Sequence, residues 1–226
     1  MTTSQPITIR QSASITAHRI YLHTFQHLST LSAKLLLWRY GCSVGTNFRA
    51  SGRIRCVNLG NLFIGGNVRI NSGPTANLVG CPQHTNFWVG PEGILTIEDN
   101  VGISNTTIMA RTEIRIRNNS LVGGGCSIFD NDFHEIDAHD RAVKTGNIAM
   151  APIEIGPHAF IGAHSIILKG VNIGEGAVIG AGSLVTKDIP PFEVWAGRPA
   201  RFIRQLVCIS TMPEGKRDGR ISCETA

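Results

Sequence analysis

At 226 residues the chain is long enough for one large domain or two modest ones. Only 16% of its residues are charged and 6% aromatic, while 25 are Gly, which suits a slim aliphatic core with many corners better than a broad globular one. The net charge of +5 comes without a Lys/Arg stripe interleaved with aromatics, so no nucleic-acid partner is expected, and no apolar run approaches the ~20 residues that cross a bilayer.

Residues 1–12 are polar and read as loosely attached. From about Ser14 to Tyr40 the pattern is helical, with Ile20, Leu22, Phe25, Leu28, Leu31, Leu35 and Trp38 mainly three or four apart. His18, Arg19, Lys34 and Arg39 make this segment basic. A helix here would close the open end of whatever follows; the alternative is a peripheral helix that touches a membrane. Cysteines 42, 56, 81, 126, 208 and 223 include no Cys-x-x-Cys pair, which argues for reduced thiols, a cytoplasmic setting and no metal ribbon.

From Cys42 onward the chain begins to count in sixes. Ile64 and Ile70 set a phase, with Gly65 and Val68 at its offsets, and residues 72–92 break it as a Gly-, Pro- and Asn-rich loop. Order resumes at Ile97, Ile103 and Met109, with Val101 and Thr107 behind them. Continuing that phase would bury Arg115, so a one-residue slip is expected near 110–115. Ile116, Val122 and Ile128 follow, with Ser120 and Cys126 four positions behind the first two. The next count lands on His134, an imidazole where an aliphatic belongs. Glu135–Ala151 has no hexad and reads as a loop thrown outward.

The repeat is most regular between Ile153 and Asp188. Ile155, Ile161, Ile167, Ile173, Ile179 and Val185 recur every six residues, with Ala159, Ser165, Val171, Ala177 and Ser183 behind the first five. Gly156, Gly162, Gly174 and Gly180 follow four of the six, where corner conformations are expected. Neither a lone helix nor an alternating strand has this period; it belongs to a β-solenoid with three hexads per coil, so that residues 18 apart stack. Ile189-Pro190-Pro191 ends the ladder. A short helix is expected over Pro199–Val207, then a flexible tail. The organisation is thus 1–41 helical, 42–190 solenoid with an extruded loop at 134–152, and 191–226 cap and tail.

The hexads, together with NDFHEID (131–137) and VTKDIPPFEVWAGRPARFIR (185–204), resemble the hexapeptide-repeat acyltransferases. The likeness is greatest to the maltose/galactoside O-acetyltransferase type and to capsule, O-antigen and exopolysaccharide O-acetyltransferases. It is specific over about residues 97–204 and weak before them. The resemblance implies an all-β left-handed parallel β-helix, a homotrimer with active sites between subunits, acetyl-CoA as donor and a sugar or surface-polysaccharide precursor as acceptor.

His134 matches the family's catalytic histidine, whose chemistry is general-base removal of a proton from the acceptor hydroxyl, which then attacks the thioester directly. A carboxylate would orient the ring: Asp132 first, with Asp130, Glu135 and Asp137 also within reach on spacing, or a backbone carbonyl in their place. Asn105, Asp130, Asn131 and Trp88 are candidate acceptor contacts. For the donor, the resemblance implies backbone groups at Ala163, Gly180 and Ala181, and the basic residues Lys187, Arg198 and Arg201 for the coenzyme phosphates. Many relatives carry Asn before Pro199 where this chain has Arg198. Trp195 would stack on adenine or seal the end of the solenoid.

Three alternatives stand beside this one. The acceptor group is an amine rather than a hydroxyl; the chain is a zinc enzyme resembling γ-class carbonic anhydrases, using His84, His134 and His139; or it is a non-catalytic solenoid subunit. His158 and His164 share an offset in successive hexads, so they lie on different faces and do not pair. No metal is expected.

Overall fold

The structure, a computed structural model, describes residues 9–80, 82–143 and 148–206, with helix side chains at Ala17 and from Ile20 onward. Cys81, Cys208, Cys223 and the tail after Ser210 lie outside the described residues. After helix α1, Ile9–Arg39, come three parallel sheets wrapped around one slim core: the solenoid expected from the period of six, in the left-handed parallel form that the family resemblance implies.

Each sheet stacks one inward aliphatic per coil. The first runs Val44, Ile64, Ile97, Ile116, Ile155, Ile173; the second Ala50, Ile70, Ile103, Val122, Ile161, Ile179, Trp195; the third Cys56, Phe87, Ile108, Ile128, Ile167, Val185. Nearly all are under 5% exposed, and each buried Ile is worth about 1.5–3 kcal/mol of transfer free energy. Ser120, Cys126, Ser165 and Ser183 are fully buried at the narrow sites, where their hydroxyl or thiol groups bond backbone carbonyls.

The corners explain the glycines, though differently from the expectation. Gly156, Gly162, Gly174 and Gly180 do not take the left-handed conformation. They are glycine because coils approach closely there: a Cβ on Gly162 would lie 2.5 Å from the Ala181 nitrogen. The left-handed residues stand two positions on. One corner stacks Asn47, Asn67, Asn100, Asn119, His158, Gly176 and Phe192, all with φ between 54° and 62°. Asn47 Nδ2 donates to Asn67 Oδ1 (2.8 Å), and Asn67 Nδ2 to Asn100 Oδ1 (3.1 Å), so the side chains form a ladder.

Four expectations need correction. The 72–92 loop is shorter, because Asn86–Val89 is a strand of the third sheet with Phe87 and Val89 inward. The phase breaks earlier as well as near 110–115: Ile108 rather than Met109 is inward and Thr106 rather than Thr107 is buried, so the step from Ile103 is short and the step from Ile108 on to Ile116 is long. The cause of the short step is Asn105, at φ 44°, whose buried side chain ties down the preceding loop and shortens the corner. The glycine role is the third. The fourth is the C-terminal helix: Arg201–Gln205 is a strand, antiparallel to Glu193–Ala196. The last coil leaves an open sheet edge, and a returning strand satisfies its backbone groups where a helix would not.

At the other end α1 does what a cap must. Ala33 and Leu37 bury against the first coil, and Thr30 Oγ1 both donates to the Ala50 carbonyl and accepts from its N–H, each at 3.0 Å. Among the described side chains, those engaged this way lie in the C-terminal third of the helix.

Candidate active site

His134 stands where the chain leaves the solenoid. The strand Ser127–Phe129 ends on Asp130, which is fully buried. Its carboxylate accepts from the N–H groups of Arg111 and Thr112 and from the Thr112 hydroxyl on the coil below (2.7–3.0 Å). Asn131, also buried, donates to Asp130 and accepts the Phe133 N–H at 2.9 Å. That bond holds Phe133 at φ 63°, and its ring meets Phe129 edge-on with centroids 5.1 Å apart. A left-handed Phe costs about 1–2 kcal/mol, so this turn is held by its surroundings. The result is an exposed His134 whose N–H donates to the Asp132 carbonyl at 2.7 Å, while its ring makes no hydrogen bond among the described residues.

The chain then makes helix α2, Ala138–Val143, and returns through a bridge between Asn131 and Met150. The Ala151 N–H donates to the Asp130 carbonyl, which closes the neck of the excursion.

The Asp132 carboxylate makes no hydrogen bond to the His134 ring among the described residues. Its Oδ1 takes a 2.6 Å bond from Lys169 Nζ, and its Oδ2 is buried with no partner. Lys169 was not foreseen. The signal was there: Ile128 pairs with Ile167, so a 39-residue offset brings 130–132 beside 169 once the excursion is subtracted.

The acceptor candidates fare unevenly. Asp130 and Asn131 are buried and bonded within the turn, as clamps rather than exposed contacts. Asn105 is also fully buried: it accepts the Gly73 N–H and donates to the carbonyls of Asn77 and Val79. Trp88 is half-buried on the outer face of the third sheet, in register between Val57 and Met109, and Met109 is in turn beside Phe129. This outward apolar row, Trp88–Met109–Phe129, ends at the Phe133 turn.

The donor candidates gather at another corner, between the second and third sheets. Ala163 and Ala181 occupy it one coil apart, and neither N–H has a hydrogen-bond partner among the described residues. The Ala163 carbonyl accepts from Gly182, and the Gly180 carbonyl accepts both Ser165 and Ser183 hydroxyls. Arg198 lies over the corner, its Nε donating to the Gly182 carbonyl at 2.6 Å, which leaves the terminal nitrogens free for an anion. Trp195 seals the solenoid rather than offering a platform: it is 8% exposed, donates to Glu193, and packs against Phe202. Lys187 Nζ sits 5.0 Å over its ring, a cation–π contact at the open end. Arg201 is exposed on the returning strand.

Within one chain the two halves are apart. Ala163 and Lys169 lie on either side of the third-sheet strand Ile166–Ile167, at different corners of the coil. Two surface clefts, lined by residues such as Phe63, Asp99 and Asn118 or Asn47, Arg69 and Leu121, include none of the candidate site residues. No group of three or more His, Cys, Asp or Glu is arranged to hold a metal ion among the described residues.

Residues 152–187 match the family model described as the hexapeptide repeat of succinyl-transferase. The chain is 38% identical over 128 residues to the galactoside O-acetyltransferase of Escherichia coli, covering 54% of this chain and 62% of that enzyme. It is 30% identical over 154 residues to a probable acetyltransferase of Mycobacterium tuberculosis, covering 66% of this chain and 51% of that protein. The chain thus spans only about half to three-fifths of the length of these relatives. Among solved structures it is similar to AntD, an N-acyltransferase from Bacillus cereus seen with dTDP-4-amino-4,6-dideoxyglucose and coenzyme A, at 25% identity, a TM-score of 0.61, and coverage of 76% of this chain and 88% of that one.

Proposed function

We propose that this chain is a hexapeptide-repeat acyltransferase that transfers an acetyl group from acetyl-CoA to a hydroxyl of a sugar or surface-polysaccharide precursor, a reading that the repeat match and the acetyltransferase relatives support. The observation that carries this is His134, an imidazole held in solvent by a strained and fully bonded turn at the neck of the excursion. A ring nitrogen takes the proton of the acceptor hydroxyl as its oxygen attacks the thioester carbonyl. The C–S bond then breaks, and the coenzyme thiolate recovers the proton from the imidazolium. Asp132 serves the turn through its ion pair with Lys169.

The coenzyme would run past the free N–H groups of Ala163 and Ala181, beside Gly180, with Arg198 on its phosphates. Lys187 and Arg201 add positive charge at the same end of the solenoid. Because His134 and this corner lie on opposite edges of one sheet, a neighbouring copy is needed to bring a donor corner to each histidine. A homotrimer with sites between subunits meets that need, and the row Trp88–Met109–Phe129 supplies an apolar wall.

Likeness to AntD favours a second version of the same chemistry, in which the acceptor is an amino sugar. Both use one base and one donor, so only the acceptor atom differs. Coenzyme release measured against matched hydroxyl and amino sugars, with mass spectrometry of the product, tests both. Turnover with neither class would overturn the proposal.

A further inference from the structure

The charge of this chain is divided between its two ends more sharply than the total reveals. Residues 1–91 contain eight Lys or Arg and not one Asp or Glu, whereas residues 92–226 contain thirteen and sixteen. The N-terminal part therefore carries +8 and the rest −3. In the fold that part is α1 and the first coils, one physical end of the solenoid. Lys34, Arg39, Arg49, Arg53, Arg55 and Arg69 are all exposed there. The ion pairs among the described residues involve Arg115, Arg117 and Lys169 instead, so this array stays unneutralised.

The same end exposes an apolar stripe. α1 has two apolar faces. One, with Ala33, Leu36 and Leu37, packs on the first coil. The opposite one carries Tyr21, Leu28, Leu31, Leu35 and Trp38, between 54% and 75% exposed. At helical spacing these fall within an arc of roughly 100°, with Arg39 at its edge and Lys34 beside it. Tyr and Trp bracket the stripe, which suits a boundary between apolar and wet surroundings. Among the described residues no helix is long and apolar enough to cross a membrane.

We propose that this end docks on an anionic phospholipid surface, with the α1 stripe set into the headgroup boundary and the surrounding arginines against lipid phosphates. Each half of the pattern selects this occupant. Cations alone would serve any polyanion, but a nucleic acid has no use for five exposed apolar side chains on one helix face. The stripe alone would serve a second copy, but pairing stripe to stripe leaves the acid-free +8 array without a counter-charge. An anionic bilayer satisfies both, through buried apolar area plus charge attraction. Docked so, the solenoid stands away from the surface with its His134 coil several turns above it.

Sedimentation with vesicles tests this directly. The whole protein should pellet with phosphatidylglycerol-containing vesicles, stay free with phosphatidylcholine alone, and be released by high salt. Leu31→Glu with Leu35→Glu, both on the exposed face, should weaken binding about tenfold or more with circular dichroism unchanged, and Arg49→Ser with Arg69→Ser about tenfold. Equal binding to both vesicle types, or none to either, overturns the proposal. So does vesicle binding that survives the Leu31/Leu35 change while the oligomer falls apart, which would assign the stripe to self-association. Tight DNA binding that the Leu changes leave intact, without lipid binding, would assign the cations elsewhere.

Discussion

Lys169 reaches Asp132 across two coils: Nζ lies 2.6 Å from Oδ1, and the second carboxylate oxygen is buried without a partner. The pair joins the neck of the His134 excursion to the next turn of the solenoid. Both side chains are partly exposed, at 29% and 22%, so its contribution is nearer that of a surface pair than of a buried one. Lys169→Met should lower stability by about 1 kcal/mol. It should also reduce coenzyme turnover more than it raises the donor KM, and Lys169→Arg should restore part of the loss. Steady-state kinetics of both variants check this, and unchanged kcat in Lys169→Met would remove the pair from the account.

Asp130 behaves oppositely. Four donors converge on a fully buried carboxylate. Asp130→Ala should therefore cost about 3 kcal/mol or more, because the Arg111 and Thr112 amides lose their acceptor. Thermal unfolding measures it. A variant that melts normally but loses acceptor affinity would return Asp130 to the substrate site.

Gly162→Ala and Gly66→Ala separate two reasons for a glycine. A Cβ at 162 meets backbone at 2.5 Å, whereas at 66 the nearest atom is the Thr46 hydroxyl at 3.4 Å. The first should destabilise by about 2–4 kcal/mol by wedging coils apart, and the second by less than about 1 kcal/mol. Paired denaturation midpoints decide it.

The three described thiols differ in reactivity. Cys42 and Cys56 sit with sulfurs 4.0 Å apart. The hydrogen bond between them holds the Cys42 thiol below its usual value and pushes Cys56 well above it, with burial adding to the latter. Burial pushes Cys126 up to about 11. A lowered value means more thiolate at a given pH, so iodoacetamide near pH 8 should modify Cys42 before Cys56 or Cys126. Peptide mass spectrometry reads the order, and earlier labelling of Cys126 would contradict it.

Much of the solenoid was legible because its signal is local and repeated. Ile155 through Val185 fix the inward positions, and the failed count at His134 marks where the chain leaves. What was hidden depends on contacts across coils. Asn105 and Asp130 look like polar loop residues until their partners, tens of residues away, are known. The slip after Ile103 follows from Asn105 and has no local mark. Arg201–Gln205 has no strand period; an open edge decides its conformation. Lys169 needed the coil register before its neighbour could be named.

The central claim is that His134 is the base. Coenzyme release by His134→Ala, with whatever acceptor the intact protein turns over, tests it most directly. The account predicts a loss of about 10²–10⁴-fold in kcat with the oligomer's mass and melting unchanged. Turnover equal to that of the intact protein would contradict it.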